Sequence, residues 1–261
     1  MSESDRSAPR LVLGDDRSSG SDLAWLWVNS QRWPGWELVV LTADPPPYGK
    51  PVPPEQAEPH PIEGPPPRTA FAEAGFGTVR FLTARADPRT ALATCPDVTA
   101  LVVGAAGEGL GPWHLGSTTE WLLHGPPAPM VVARTGRPVR SALVCADGSS
   151  HATAAIEAFA SMPWSSDAAV TIVAVEDGRT IVDEAVLAAE QALKATGTRP
   201  DVVRERGTAH RRILSYATSN DIDLIVLGTR GHAGLSRMVL GSTASAVNRH
   251  AGASVLSARA V

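Results

Sequence analysis

The sequence predicts an α/β fold of two tandem, doubly wound parallel-sheet domains. Two observations point there. Short runs rich in Val, Ile and Leu alternate with amphipathic helical stretches, and the same order of runs and turns occurs once in each half of the chain. Strands that are apolar at successive positions are covered on both faces, as in a parallel sheet with helices above and below it.

The second half reads β-α-β-α-β-α-β-α-β. Its strands fall near residues 141–146, 170–175, 202–206, 224–228 and 254–258, and its helices near 151–161, 180–196, 209–219 and 242–250. In the second of these helices Ile181, Ala185, Ala188, Ala189 and Ala192 recur at helical spacing, with Asp183, Glu184 and Glu190 between them. In open parallel sheets, ligands sit beyond the carboxyl ends of the strands, where the strand order reverses. Asp147, Val175 and Gly228 all fall at such ends.

The first half repeats the plan. Leu11-Val12-Leu13-Gly14-Asp15-Asp16-Arg17-Ser18 opens it as Ala142-Leu143-Val144-Cys145-Ala146-Asp147-Gly148-Ser149 opens the second. Gly116-Ser117-Thr118 parallels Gly241-Ser242-Thr243, and Met130 to Arg134 parallels Val255 to Arg259 without a gap. The expected division is therefore residues 1–136 and 137–261, joined near Thr135-Gly136-Arg137-Pro138. Residues 44–67 of the first half carry 11 of the chain's 22 prolines, where the second half places its long helix. Proline lacks an N–H and clashes with the preceding turn, so no helix is expected to run through this segment, which reads as an irregular surface excursion. Six of the seven tryptophans lie in the first half, and Trp25, Trp27 and Trp36 are expected to fill its core.

The most informative string is Gly228-Thr229-Arg230-Gly231, nine residues, then Gly241-Ser242-Thr243. It follows the run Leu224 to Leu227 and precedes a helix, the order a phosphate cradle requires. It is neither the Walker A string nor the dinucleotide fingerprint. It resembles the ATP-binding signature of the universal stress protein family, and the resemblance extends over almost the whole chain as a tandem pair of Rossmann-like units, specific in the second and loose in the first. The resemblance implies that Asp147, preceded by Ala146, contacts the adenine or ribose side of ATP. It also implies that the backbone of Val175 meets adenine, that Leu227 and Gly228 lie under the nucleotide, and that Arg230, Gly231, Gly241, Ser242 and Thr243 surround the phosphates. An Arg suits phosphate and a carboxylate suits an amine or hydroxyl. Asp147 and Ser242 are also both residue types that cap helices.

By the same resemblance the chain would bind ATP, alone or with Mg2+, as a cytoplasmic stress-response regulator with at most slow hydrolysis. Pairing of protomers through the last strand would become an internal pseudo-dimer here. Pairing of whole chains into a homodimer stays open, since an exposed sheet edge would remain. The first half departs from the pattern. Gly107 and Gly116 enclose eight residues, Arg17 stands at the place of Gly148, Ala106 replaces Arg230, and Glu108, Pro112 and Trp113 make the loop acidic and bulky. This half is expected to bind ATP poorly or not at all. The rival reading is a scaffold of the same fold that binds no nucleotide.

Composition narrows the remainder. A net charge of -4 with a pI near 6.0 gives no basic footprint for nucleic acid. No apolar run has the length to span a bilayer, and the polar N-terminal stretch does not read as a secretion signal, so a cytosolic protein is expected. His151, His210, His232 and His250 lack metal-ligand spacing, and Cys145 on a core strand reads as a small core residue. No Gly-x-Ser-x-Gly elbow and no Ser-Gly-Gly-x-Asp-Ser string occurs, which argues against hydrolase and α,β-phosphate-cleaving chemistry. Arg204, Arg206, Arg211 and Arg212 read as a solvated face.

Overall fold

The computed structural model describes residues 8–46, 52, 54–62, 74–106, 114–176, 182–231 and 239–260. The first half runs β1 (Arg10–Gly14), α1 (Ser19–Ser30), β2 (Glu37–Ala43), α2 (Pro54–Ala57), β3 (His60–Pro61), β4 (Thr78–Ala84), α3 (Pro88–Ala93), β5 (Ala100–Gly104), α4 (Ser117–His124) and β6 (Met130–Ala133). The second runs β7 (Ser141–Cys145), α5 (Ser150–Ala160), β8 (Ala169–Glu176), α6 (Val182–Lys194), β9 (Asp201–Arg206), α7 (Ala209–Ser219), β10 (Leu224–Gly228), α8 (Ser242–His250) and β11 (Ser254–Ala258). All the elements expected in the second half are present. The helix expected from residue 180 is described from Val182, and Ile181 lies outside the described residues.

The strands form one sheet in the order β3-β4-β2-β1-β5-β6-β11-β10-β7-β8-β9. Within each half the pairing is parallel, apart from the short β3 against β4. In both halves the chain moves outward from its first strand, then returns to the other side of it. The order therefore reverses between β1 and β5 and between β7 and β10, which opens a crevice at the carboxyl ends of those strands.

The halves meet through β6 and β11, which pair antiparallel with Val131 opposite Leu256. Leu256 is the repeat equivalent of Val131, so the flanking pairs Val132–Val255 and Met130–Ser257 are related by a local two-fold. Arg134, just past β6, donates to the Asn248 carbonyl near the end of α8, and Arg249 of α8 pairs with Glu120 of α4 at 2.6 Å.

Strand residues alternate between two cores. Ala142, Val144, Leu224 and Val226 join the core that also holds residues of α1, α5 and α6, while Leu143, Ile225 and Leu227 join the core that holds residues of α3, α4, α7 and α8. Trp25, Trp27, Trp33 and Trp36 are buried, as core packing required. Their cluster also crosses the seam. Trp27 and Trp33 lie 5.7 and 6.0 Å, centroid to centroid, from Trp164 of the second half, which meets Phe159 at 6.0 Å.

The proline-rich segment needs a correction where it is described. A single helical turn, Pro54–Ala57, forms there, because a proline at the first helical position lacks an N–H that would be unpaired in any case. Pro61 lies in β3 at the outer edge of the sheet, where no further strand needs its N–H. Residues 47–51, 53 and 63–70 of the surrounding region, other than residue 52, lie outside the described residues.

Candidate functional site

The crevice of the second half is built from two loops. After β7 the chain turns through Ala146, Asp147 and Gly148, and Gly148 has φ +78°, a conformation glycine adopts without steric cost. That turn lets Asp147 Oδ1 accept from the backbone N (2.9 Å) and Oγ (2.6 Å) of Ser149. Ser149 Oγ in turn accepts from Ala152 N at 3.2 Å, capping α5. Asp147 is thus not the helix cap but the group that holds the cap, and its second oxygen, Oδ2, points toward Gly231. A Cβ on Gly231 would come within 2.8 Å of that oxygen.

The second loop leaves β10 at Gly228. A Cβ there would lie 2.6 Å from Ala152 N and from the carbonyl carbon of His151, so Gly228 is small because α5 packs directly on the end of β10. Arg230 is 8% exposed, and its Nε donates to the Val239 carbonyl at 2.9 Å, which ties the outgoing limb of the loop to the returning one. Loss of solvent, and then the charge of Arg259, hold its guanidinium below the ordinary arginine range. Gly241 N donates to Thr229 O at 2.9 Å, closing the base of the loop. A Cβ on Gly241 would meet Arg230 Cα and Thr229 O at 3.2 Å.

Gly241 is the N-cap of α8 and supplies no side-chain cap, so Ser242 is the first helical residue and not the cap. The first turn of α8 thus lacks the N-cap side-chain acceptor that Ser149 gives α5, as does that of α4, which starts on Gly116, and each carries the positive end of its helix there. Val175 completes the enclosure. The Val173 carbonyl accepts from Ala146 N at 3.0 Å, so Val175, two residues on, turns its backbone polar groups to the same side, past the end of β7. Of the ten expected residues, Asp147 and Gly231 approach each other and Arg230 and Gly241 close the base of the loop, while Gly228 is taken up by packing against α5. A cavity of about 500 Å³ beside Ala146 and Asp147 is lined by Ala152 and Ile156 of α5 and Ala185 and Ala189 of α6, and among the described residues its lining holds none of the other eight.

The first half builds the same crevice with different chemistry. Arg17, at φ +63°, occupies the left-handed position of Gly148, Ser18 caps α1, and Asp16 Oδ1 accepts from Ser18 N as Asp147 does from Ser149 N. Asp15 then stands where the second half has Ala146, and its N donates to Leu41 O as Ala146 N does to Val173 O. Asp15 is 4% exposed, with Oδ1 accepting from Arg17 N at 2.9 Å. Gly116 N donates to Ala105 O just as Gly241 N does to Thr229 O, which places Ala106 at the position of Arg230. A cavity of about 210 Å³ lies here, lined by Asp15, Asp16, Val103 and Gly116 to Thr119 among others, with no basic residue in its lining among the described residues. The buried Asp15 carboxylate was readable from the aligned strings but carries no motif. Gly107, Glu108, Pro112 and Trp113 lie outside the described residues.

Other expected groups fall away from the crevice chemistry. Burial, and then Asp147, push the Cys145 thiol well above the ordinary cysteine range, which keeps it protonated. Among the described residues no cluster of three or more His, Cys, Asp or Glu could hold a metal ion, and no helix is long and apolar enough to cross a membrane. Arg204 and Arg206 pair on the surface with Asp183 and Glu176.

Residues 176–259 match the model of the universal stress protein family. A universal stress protein of Synechocystis sp. is 29% identical over 170 residues, covering 62% of this chain and 58% of the relative, so the match spans less than two thirds of that relative's length. A universal stress protein from Archaeoglobus fulgidus DSM 4304 has the same fold, with a TM-score of 0.72 at 21% identity over 97% of this chain and 99% of that one. A functionally unknown protein from Pseudomonas aeruginosa PAO1 has a TM-score of 0.64 at 17% identity over 97% and 93%. At such identities these two structures speak to fold alone. The family model thus matches about a third of the chain, within the second half, and nearly the whole chain shares the fold of a solved universal stress protein.

Proposed function

We propose that this is a tandem universal stress protein, divided near residue 136, whose second unit binds ATP and acts as a nucleotide-dependent regulator, not as an enzyme. One observation carries this reading: α8 starts on a glycine without the side-chain cap that seals α5, as α4 does in the first half, but the loop before α8 holds a buried Arg230 where the first half has Ala106. N–H groups at a helix start that begins on glycine, after a loop that opens and closes on Gly231 and Gly241, suit phosphate. The fit of the group is favoured by Gly231 and Gly241, where a Cβ would intrude on Asp147 or on the loop backbone.

In this reading Gly231, Ser242 and Thr243 receive the phosphates, largely through backbone N–H groups. Arg230 holds the loop closed and adds positive potential from behind it. The Asp147 carboxylate accepts from a ribose hydroxyl or the adenine amine, and Val175 offers backbone groups on the adenine side. ATP supplies the charge and the ring that these groups recognise. The described side chains give Mg2+ no site of their own, so the proposal assigns it no protein ligand. A regulatory role with at most slow hydrolysis is part of the proposal.

Equilibrium titration of the full chain with ATP tests the proposal. Saturable binding is expected, with the melting temperature rising as ATP is added. At a hundredfold excess over Kd the stabilisation amounts to about 2.7 kcal/mol. Gly231→Val is expected to remove binding while the protein stays folded. An unchanged melting temperature and no saturation at millimolar ATP would sink the idea.

A further inference from the structure

We infer that His151 is an acid-sensitive latch that ties the start of α5 to the backbone just past β11. Ala260 N donates to His151 Nδ1 at 2.9 Å, across 109 residues of sequence. That bond requires a lone pair on Nδ1, so the ring is neutral with its proton on Nε2. Once the ring takes a second proton, Nδ1 carries a hydrogen, the two N–H groups face each other, and the bond is lost.

The surroundings favour the closed, neutral form. His151 is the second residue of α5, where the positive end of the helix opposes a cation. It packs on β10, since a Cβ on Gly228 would come within 2.8 Å of the His151 Cβ. Among the described residues three charged groups act on the ring: Arg230 past β10 and Arg259 past β11 oppose its protonation, and Asp147 in the β7–α5 loop favours it. Burial is the largest effect, and together these hold the ring below its ordinary value of 6.5. In sign, the bond contributes fully above 6.5, where the ring is neutral in folded and unfolded chains alike. It is lost as the pH falls through the lower folded value.

What the latch fixes is the backbone beside Arg259. The guanidinium of Arg259 lies against Gly125, at the end of α4 in the other half, where an added Cβ would stand 3.6 Å from Nη1. Acid opening therefore frees the backbone at Ala260, beside Arg259, whose charge acts on Arg230 of the proposed site loop and whose guanidinium lies near Gly125 of the other half. The inference goes beyond nucleotide binding and does not depend on it.

NMR of the full chain without nucleotide, titrated from about pH 8 to about pH 5, tests it. The Ala260 amide proton is expected to move with the same midpoint as the His151 ring protons, at a midpoint below 6.5. His151→Gln supplies an amide oxygen that accepts and does not titrate, and it should hold the Ala260 amide constant across the range. An Ala260 amide that stays fixed while His151 titrates in the wild-type chain overturns the latch. Equal movement in the His151→Gln chain does so as well.

Discussion

At the turn after the first strand of each half, one residue sits in the left-handed region of backbone space: Arg17 at φ +63° and Gly148 at φ +78°. A residue with a Cβ costs roughly 1–2 kcal/mol in that conformation. Gly148→Ala is therefore expected to lower the free energy of unfolding by about that amount, measured by denaturant titration. The reverse change, Arg17→Gly, is expected to stabilise the fold by less, because glycine gains roughly 0.5–1 kcal/mol of unfolded-chain entropy. A neutral Gly148→Ala would mean that the turn relaxes, and with it the Asp147–Ser149 bonds that hold the cap of α5.

At the scale of the element, two strand–loop–helix units of one plan differ in charge. Both close with a helix that starts on a glycine without a side-chain cap, α4 and α8, but the second has Ala146 and Arg230 where the first has Asp15 and Ala106. Asp15 thus puts a buried acidic side chain where the second half has only the methyl of Ala146. Calorimetric titration should therefore return one nucleotide per chain, and two would show that Asp15 does not close the first crevice. The strands and helices of the second half were legible in the sequence because each Val, Ile and Leu run ends at an Asp or Gly turn and each helix has a clear period. That Asp147 and the loop after β10 come together was legible, since β7 and β10 are neighbours in the sheet. Their division of labour was not. Asp147 and Ser149 are both capping types, and only the backbone turn at Gly148 decides between them. Arg230 announces its charge in the sequence but not its burial, and Gly228 reads as a phosphate glycine until α5 is packed against it. The single turn at Pro54 was missed because proline was read as a breaker, not as a first helical residue.

Across the whole molecule the two halves share one sheet and one aromatic cluster. The β6–β11 ladder uses the inner edge of both halves. The outer edges fall to β3, which carries Pro61, and to β9, where Arg204 and Arg206 are ion-paired. Trp164 is the second half's main entry into the cluster, packing edge-on against Trp27 and Trp33. Among the described residues neither Trp27 Nε1 nor Trp164 Nε1 has a hydrogen-bond partner, so the worth of these rings lies in apolar contact. Removing a buried tryptophan side chain costs about 3–5 kcal/mol. Trp164→Ala is expected to lose that amount. Trp164→Phe, which keeps ring contact and removes a buried N–H, is expected to lose less. Because the ladder and the cluster both cross the seam, calorimetry should show one unfolding transition for the wild-type chain, shifted as a whole by Trp164→Ala. Two separate transitions in the wild-type chain, with Trp164→Ala moving only one, would mean that the halves fold as independent units despite their shared sheet.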